Sequence, residues 1–364
     1  MRAAVIDGVG MPFRVDDVDL APPAQGEVLI RVAATGVCGS DLNASDGKRR
    51  LVPFPAVLGH EAAGVVTEIG PGVTRVRPGD HVVTTITPWC GTCTYCLRGM
   101  PNFCLVAGDA MAAGALFDGT SRLSRIGERV NHFLTVSSFA EQAVVPESGV
   151  VAIRPDMPLD RAALISCAVL TGFGAVANTA KVPSGARVAV FGCGGVGLNI
   201  VQGARVAGAT PIVAVDVSRR KLDLAARLGA TDGIDSSTDD PTAVIRDRFG
   251  GVDFAFDASG REEVMHQAWR SLDVGGELVL VGLLRHGATL TLPADPFVNE
   301  QRIRGCYYGS SNAARDIPAL VERYLAGEIL LDEIISQRIA LDGLNGSFDR
   351  MRTGEGSRDV VVFD

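Results

Sequence analysis

The spacing of apolar positions changes character once along the chain. Over residues 1–155 they fall in short runs divided by turns. MRAAVI at the start, EVLIRVAATGV (27–37), EAAGVVTEIG (61–70) and GDHVVTTITP (79–88) read as strands. PGVTRVRPGD (71–80) brackets a turn with Pro and Gly at both ends. This part predicts a β-rich, barrel-like domain. Next, PLDRAALISCAVLTGFGAVANTA (158–180) predicts a helix of small apolar residues with Asp160 as its N-cap. Beyond Pro183 the pattern alternates. RVAVF (187–191), PIVAVDV (211–217), VDFAFDAS (252–259) and GELVLVGL (276–283) read as strands with helices between them, one reaching about Ala207 and one across SRRKLDLAARLGA. Strands alternating with helices predict an α/β unit with a parallel, doubly wound sheet.

Composition narrows the class. A length of 364 residues suggests two domains. A hydrophobic share of 47% with 21% charged residues supports packed cores and excludes a disordered chain. A net charge of −8 argues against a nucleic-acid partner, because the surface repels phosphate. No run in this reading reaches the roughly 18–20 apolar residues of a membrane span. The N-terminus lacks the apolar core of a secretory leader, so a cytoplasmic location is expected. In that compartment thiols stay reduced, and clustered cysteines point to metal rather than to disulfides.

GCGGVG places Gly192, Gly194 and Gly197 in G-x-G-x-x-G, between a strand and a helix, with Gly195 and Val196 inside it. Such a turn lets the backbone approach a pyrophosphate at a helix N-terminus. Asp216 ends the next strand, where a carboxylate accepts the ribose hydroxyls and repels a 2′-phosphate, favouring NAD over NADP. Cys90, Cys93, Cys96 and Cys104 form C-x2-C-x2-C-x7-C. Four thiolates close a tetrahedral zinc shell and leave substrate no position. The rival iron–sulfur pattern continues with x3-C-P, whereas Leu105 follows Cys104. Cys38, His60 and Cys167, with Glu61 beside His60, offer three ligands and an open fourth position, as catalytic zinc requires. Spacing alone leaves open that Cys167 is plain packing and His60 a structural histidine. Cys193 and Cys306 remain as free buried thiols.

GVCGSD, GHEAAGVV, the four-cysteine lobe, SCAVLTGFGA ahead of VAVFGCGGVG, and DGTSRLSRIGERVNHFLTVSSFAEQAVV (118–145) together span the chain. With them it resembles the zinc-dependent alcohol dehydrogenases of the medium-chain dehydrogenase/reductase superfamily, in the longer branch that holds the liver-type and glutathione-dependent formaldehyde enzymes. The resemblance implies a GroES-like catalytic domain over 1–168, a Rossmann NAD-binding domain over 169–307 and a C-terminal return to the catalytic domain over 308–364. It implies two zinc ions per chain, NAD and a homodimer formed through the last strand of the nucleotide domain. Cys38, His60 and Cys167 would hold the catalytic zinc, with Glu61 behind it as transient ligand and Asp41 orienting His60. Ser40 would take the substrate proton. Thr171, Val196 and Val281 would meet the nicotinamide end, Lys221 would assist Asp216, and Arg358 would reach the pyrophosphate. Ile86, Phe133, Leu134, Leu283 and Tyr307 would line a cleft suited to primary aliphatic or aromatic alcohols. Gly39 and Asn43 depart from the family, removing a phosphate cation and the histidine that ends the proton relay. A thiol-dependent formaldehyde dehydrogenase is the alternative activity, with Arg122, Arg125 and Arg129 as the cations it would need. A non-catalytic NAD- or zinc-binding scaffold would have lost the ligand trio or Ser40, and neither is lost.

Overall fold

The computed structural model describes residues 1–355 and 358–363. The first two residues of GSRDVVVF and the final residue of the 308–364 segment lie outside the described residues. The chain divides into two compact units: Met1–Cys167 with Asn312–Ala326 and Ile335–Asp364, and Ala168–Ser311 with Gly327–Ile334. The segment 308–364, expected to return whole to the first unit, leaves 308–311 and Gly327–Ile334 in the second, and Ala168, expected in the first, also falls there.

The first unit is organised around the ten-residue strand Glu27–Gly36, rich in Val, Leu and Ile and almost wholly buried. Glu61–Ile69 pairs antiparallel to it, with Gly36 opposite Glu61. Gln142–Pro146 pairs along its first half. Arg358–Val362 pairs antiparallel along its second half, with Val360 opposite Gly36. Gly36 thus has a neighbour on each side, and Glu61 and Arg358 converge beside it. Val28, Ile30, Val32, Val66, Val82 and Val145 fill the core behind this sheet. A second, six-stranded sheet carries Arg2–Ile6 and Glu128–His132.

In the second unit six parallel strands run in the order Asp232–Asp235, Ile212–Asp216, Val188–Phe191, Val252–Asp257, Leu272–Leu280, Arg302–Gly305. This is the doubly wound order, whose reversal beside the first strand creates a crevice at the strand C-termini. Val188–Phe191 and Ile212–Asp216 are buried along their whole length, as central parallel strands must be. Asp232–Asp235 and Arg302–Gly305 escape the sequence reading because their four residues are largely polar or exposed.

The helix Leu159–Ala180 corrects two expectations. Its cap is Pro158, whose fixed geometry suits a helix start, while Asp160 lies inside and pairs with Arg161 at 2.9 Å and Arg338 at 2.8 Å. By length and composition it could also cross a membrane, with a mean hydropathy of 1.6 over its best window. That window is 89% buried inside the protein, which marks a core helix. The helix carries π-helical turns at Ile165–Val169 and Ala175–Ala180.

One buried histidine makes the first unit sensitive to acid. His132 Nε2 accepts the Arg122 backbone N–H at 3.2 Å. Burial, with Arg122 and Arg129 nearby, pushes its pKa down to about 3. An unfolded histidine titrates near 6.5, so the neutral ring stabilises the fold fully above about 6.5. That contribution falls as pH drops from there toward 3. Denaturant melts at pH 7 and pH 5 should show His132→Gln losing less stability on acidification than wild type; equal losses would reject this role.

Candidate metal and dinucleotide sites

Three segments of the first unit bring four donors together. Cys38 caps the short helix Gly39–Ser45, His60 and Glu61 stand at the start of a strand, and Cys167 sits in the first π-helical turn. One ligand atom from each of Cys38, His60, Glu61 and Cys167 lies within 4.8 Å of every other, and all four residues are buried. Gly59 adopts φ +86, a left-handed turn that a side chain would disfavour, and delivers His60 to this point. Asp41 organises the approach. Its carboxylate accepts the backbone N–H of Cys38 and of Gly59, each at 3.0 Å, and lies 3.2 Å from His60 Nδ1. With Nδ1 so engaged, Nε2 is the free ring nitrogen, and it is buried without a hydrogen-bond partner.

The electrostatics suit a cation. A hydrogen bond from Cys167, against the cost of burial, holds the Cys38 thiol well below its ordinary value, with Arg358 and His60 assisting. Cys167, the other member of the pair, is pushed well above its own. Burial raises the Glu61 carboxyl to about 8 although Arg358 opposes it. Two thiols, an orphaned imidazole nitrogen and a dry carboxylate suit a soft divalent ion such as zinc.

The sequence reading missed Glu61's neighbours. Arg358 Nη1 lies 3.1 Å from Glu61 Oε1 and donates to the Val37 carbonyl at 2.9 Å. A Cβ at Gly36 would come within 2.3 Å of Glu61 Oε2, so the carboxylate occupies space that a larger residue would fill. Arg358, expected at a pyrophosphate, is thus buried beside the donor cluster. Among the remaining expectations in this unit, Ser40 is half-buried and lies 3.8 Å from Cys38 Sγ. Ile86, Phe133 and Leu134 are buried, and the Phe133 ring stands edge-on to His60 at 5.7 Å between centroids. Gly39 is exposed with nothing where a Cβ would sit, so packing does not force its lack of a side chain. Asn43 is half-buried.

The four-cysteine lobe forms a second cluster, again with donor atoms within 4.8 Å of one another. Its sulfurs accept backbone N–H groups: Thr92 and Cys93 donate to Cys90 Sγ, and Cys90 donates to Cys104 Sγ. Cys93 and Cys104 Sγ are 4.0 Å apart, beyond the ~2 Å of a disulfide and near the ~3.8 Å edge of a zinc–thiolate tetrahedron. All eight cysteines are free thiols. Cys193 is buried, whereas Cys306 is half-buried and accepts a hydrogen bond from Thr179 Oγ1 at 3.3 Å, a correction to its expected full burial.

In the second unit Gly192 takes φ +92 at the end of its strand, and helix Gly195–Val206 starts after Gly194. A Cβ on Gly197 would lie 1.8 Å from the Gly192 carbonyl oxygen, so this glycine permits the close turn. A Cβ on Gly194 would meet nothing within 4 Å, which leaves its side of the loop open to a phosphate. Asp216 accepts Cys193 N–H at 2.7 Å and Ser218 N–H at 2.9 Å, fixing its carboxylate beside the loop. Gly195 is buried, Val196, Lys221 and Val281 are half-buried, and Thr171 is buried on its helix. Leu283 and Tyr307 are exposed.

The arginines suggested for a thiol's carboxylates are committed elsewhere. Arg122 is half-buried and pairs with Glu27 at 2.8 Å and Asp118 at 2.6 Å. Arg125 pairs with Asp7 and with Asp16, the latter at 2.7 Å. Arg129 donates to Asn131 and to the Ala113 and Gly114 carbonyls.

A donor cluster of this composition, in a chain that also carries a doubly wound nucleotide fold, defines a metal-dependent oxidoreductase. Residues 24–155 match the alcohol dehydrogenase GroES-like domain and residues 195–325 the zinc-binding dehydrogenase domain. The whole chain is 39% identical over 373 positions to an alcohol dehydrogenase class-3 of Cereibacter sphaeroides, covering 99% of that protein. It is 38% identical over 372 positions to an S-(hydroxymethyl)glutathione dehydrogenase of Paracoccus denitrificans, again with full coverage of this chain and 99% of the relative. The crystal structure of benzyl alcohol dehydrogenase from Acinetobacter calcoaceticus matches all of the chain and 99% of its own length, with a TM-score of 0.94 at 35% identity. The chain belongs to the zinc-dependent alcohol dehydrogenases of the medium-chain dehydrogenase/reductase superfamily. It interconverts alcohols with aldehydes or ketones.

Asp41 should matter to the fold as well as to His60. Asp41→Ala would orphan three buried groups, each worth about 1–3 kcal/mol when unsatisfied. Urea denaturation should show a loss of about 3 kcal/mol or more, and a loss under about 1 kcal/mol would reject the assignment.

Proposed function

We propose that this chain oxidises primary aliphatic or aromatic alcohols, and reduces the matching aldehydes, with NAD and two zinc ions per chain. The observation that carries the reading is the buried donor set Cys38, His60 and Cys167, with His60 Nε2 unpartnered and Asp41 behind the ring. Zinc held there would supply Lewis acidity toward a bound alcohol. NAD at the glycine turn would supply the hydride acceptor, and Asp216, at the end of the second nucleotide-fold strand, would favour it over NADP.

The chain's own residues do the rest. Asp41 holds His60 in the tautomer that leaves Nε2 free to ligate. Ser40, next to the cluster, takes the alcohol proton. Asn43 has no basic atom near neutral pH, so it cannot end the relay. Arg358 pairs with Glu61 and restrains it close to the other donors, where Glu61 would offer a further ligand to the metal. Gly192, Gly194, Gly195 and Gly197 admit the pyrophosphate, Lys221 supports Asp216, and Thr171, Val196 and Val281 serve the nicotinamide end. Ile86, Phe133 and Leu134, buried in the first unit, would supply apolar surroundings for the substrate. The edge strand Arg302–Gly305, with a flank open for pairing, supports a homodimer that size measurement in solution would check.

Metal analysis should give two zincs per chain in wild type and one in a folded Cys38→Ala variant without alcohol oxidation. A single zinc in wild type, or unchanged turnover in the variant, would overturn the assignment.

A second reading follows from the Paracoccus relative, which is named for S-(hydroxymethyl)glutathione. Against it stands the engagement of Arg122, Arg125 and Arg129 in internal ion pairs and hydrogen bonds. An alcohol and aldehyde panel with NAD and NADP, and formaldehyde with and without glutathione, separates the two. Benzyl alcohol turnover with NAD, and formaldehyde oxidation indifferent to glutathione, support the first reading. Activity confined to formaldehyde plus glutathione establishes the second.

A further inference from the structure

Two hydroxyls lie at the back of the donor cluster, in a place where the catalytic reading uses neither. Ser166 and Thr84 are both fully buried. Ser166 directly precedes Cys167 in the π-helical turn, and Thr84 ends the strand His81–Thr84. Their Oγ atoms are 3.1 Å apart. Ser166 Oγ lies 2.8 Å from the Thr84 carbonyl and 3.1 Å from the His60 carbonyl. Thr84 Oγ1 lies 3.2 Å from the carbonyls of both His60 and Ala62, and accepts Ala62 N–H at 3.1 Å.

A helical serine can return its proton to the carbonyl one turn earlier in its own helix. Here the hydroxyl also reaches the Thr84 and His60 carbonyls, outside its helix. The pair therefore ties the backbone of His60 to the residue before Cys167 through the end of a third segment. His60 and Cys167 are far apart in sequence, and no local turn can set their separation. We infer that Ser166 and Thr84 form a hydroxyl latch that fixes the spacing of the His60 and Cys167 ligands and so retains the metal. Both are positioning residues, acting through the backbone of their neighbours, and the inference rests on the proposed metal role of the Cys38–His60–Cys167 set.

The test separates hydrogen bonding from packing. Thr84→Val keeps the shape and removes the hydroxyl, and Thr84→Ser keeps the hydroxyl and removes a methyl. Zinc release to a chelator from the intact protein, and the thiolate-to-metal absorption bands of the cobalt-substituted form, are the readouts. Loss of groups that orient metal ligands weakens metal binding about 10–100-fold. Thr84→Val and Ser166→Ala should each release one of the two zincs about tenfold faster and shift the cobalt bands, while Thr84→Ser stays close to wild type. A wild-type circular-dichroism spectrum reports that each variant is folded. Wild-type release and spectra in Thr84→Val and Ser166→Ala, or a Thr84→Ser defect as large as that of Thr84→Val, overturn the latch. Wild-type protein that binds a single zinc would instead defeat the metal reading beneath it. If a variant fails to fold, the remaining two decide.

Discussion

A cluster of donors in a dry interior must be given a cation or must forfeit their charge. Cys38, His60, Glu61 and Cys167 are all buried, and their ligand atoms crowd within 4.8 Å. Desolvation makes each anion costly, and mutual repulsion adds to that cost. The surrounding fold compensates with fixed partners. Asp41 gathers two backbone donors and the imidazole, while Arg358 stands against Glu61. A divalent ion with two thiolates is neutral, and the Arg358 guanidinium offsets negative charge on Glu61. Near-cancellation of this kind makes a buried reactive centre tolerable.

That balance explains why the first unit is assembled from distant pieces of chain. Arg358 is carried by Arg358–Val362, which must pair with Glu27–Gly36 to reach Glu61. Gly36 then has to lack a side chain, because the Glu61 carboxylate fills that space. Glu61 is also opposite Gly36 in the register on the other side. Strand register, one glycine and one ion pair are thus a single constraint, and a slip of one residue would turn the charged side chains to the wrong face.

Legibility in the sequence followed the range of the physics. The nucleotide fold could be read because its strands are apolar and its turn is local: Gly192 needs φ +92 and Gly197 needs contact with a residue five positions away. The four-cysteine lobe could be read for the same reason. The Cys38–His60–Cys167 trio required a family resemblance, since spacing alone left Cys167 as packing. What stayed hidden depended on contacts between distant segments. Arg358 beside Glu61, Arg122 on Glu27, and the hydroxyls of Ser166 and Thr84 leave no periodic trace. Asp160 misled because an acidic residue near a helix start resembles a cap, while Pro158 begins this helix and Asp160 serves Arg338. The helix's apolar length also went unread, because Gly, Ser and Thr interrupt it without making it polar.

The two donor clusters differ in what their assembly demands. The lobe gathers Cys90, Cys93, Cys96 and Cys104 from one short stretch, and backbone N–H groups of that stretch already point at its sulfurs. Its geometry is largely set before the rest of the fold arrives, so metal there stabilises local structure. The other cluster gains its geometry from sheet register, the Asp41 carboxylate and the π-helical turn that presents Cys167. Those are global features, set by strand pairing and packing of the first unit. Metal at this second cluster would therefore depend on the fold more than the fold depends on it. A catalytic centre benefits from that order of dependence, because ligand exchange at an open position can proceed without loosening the scaffold around it.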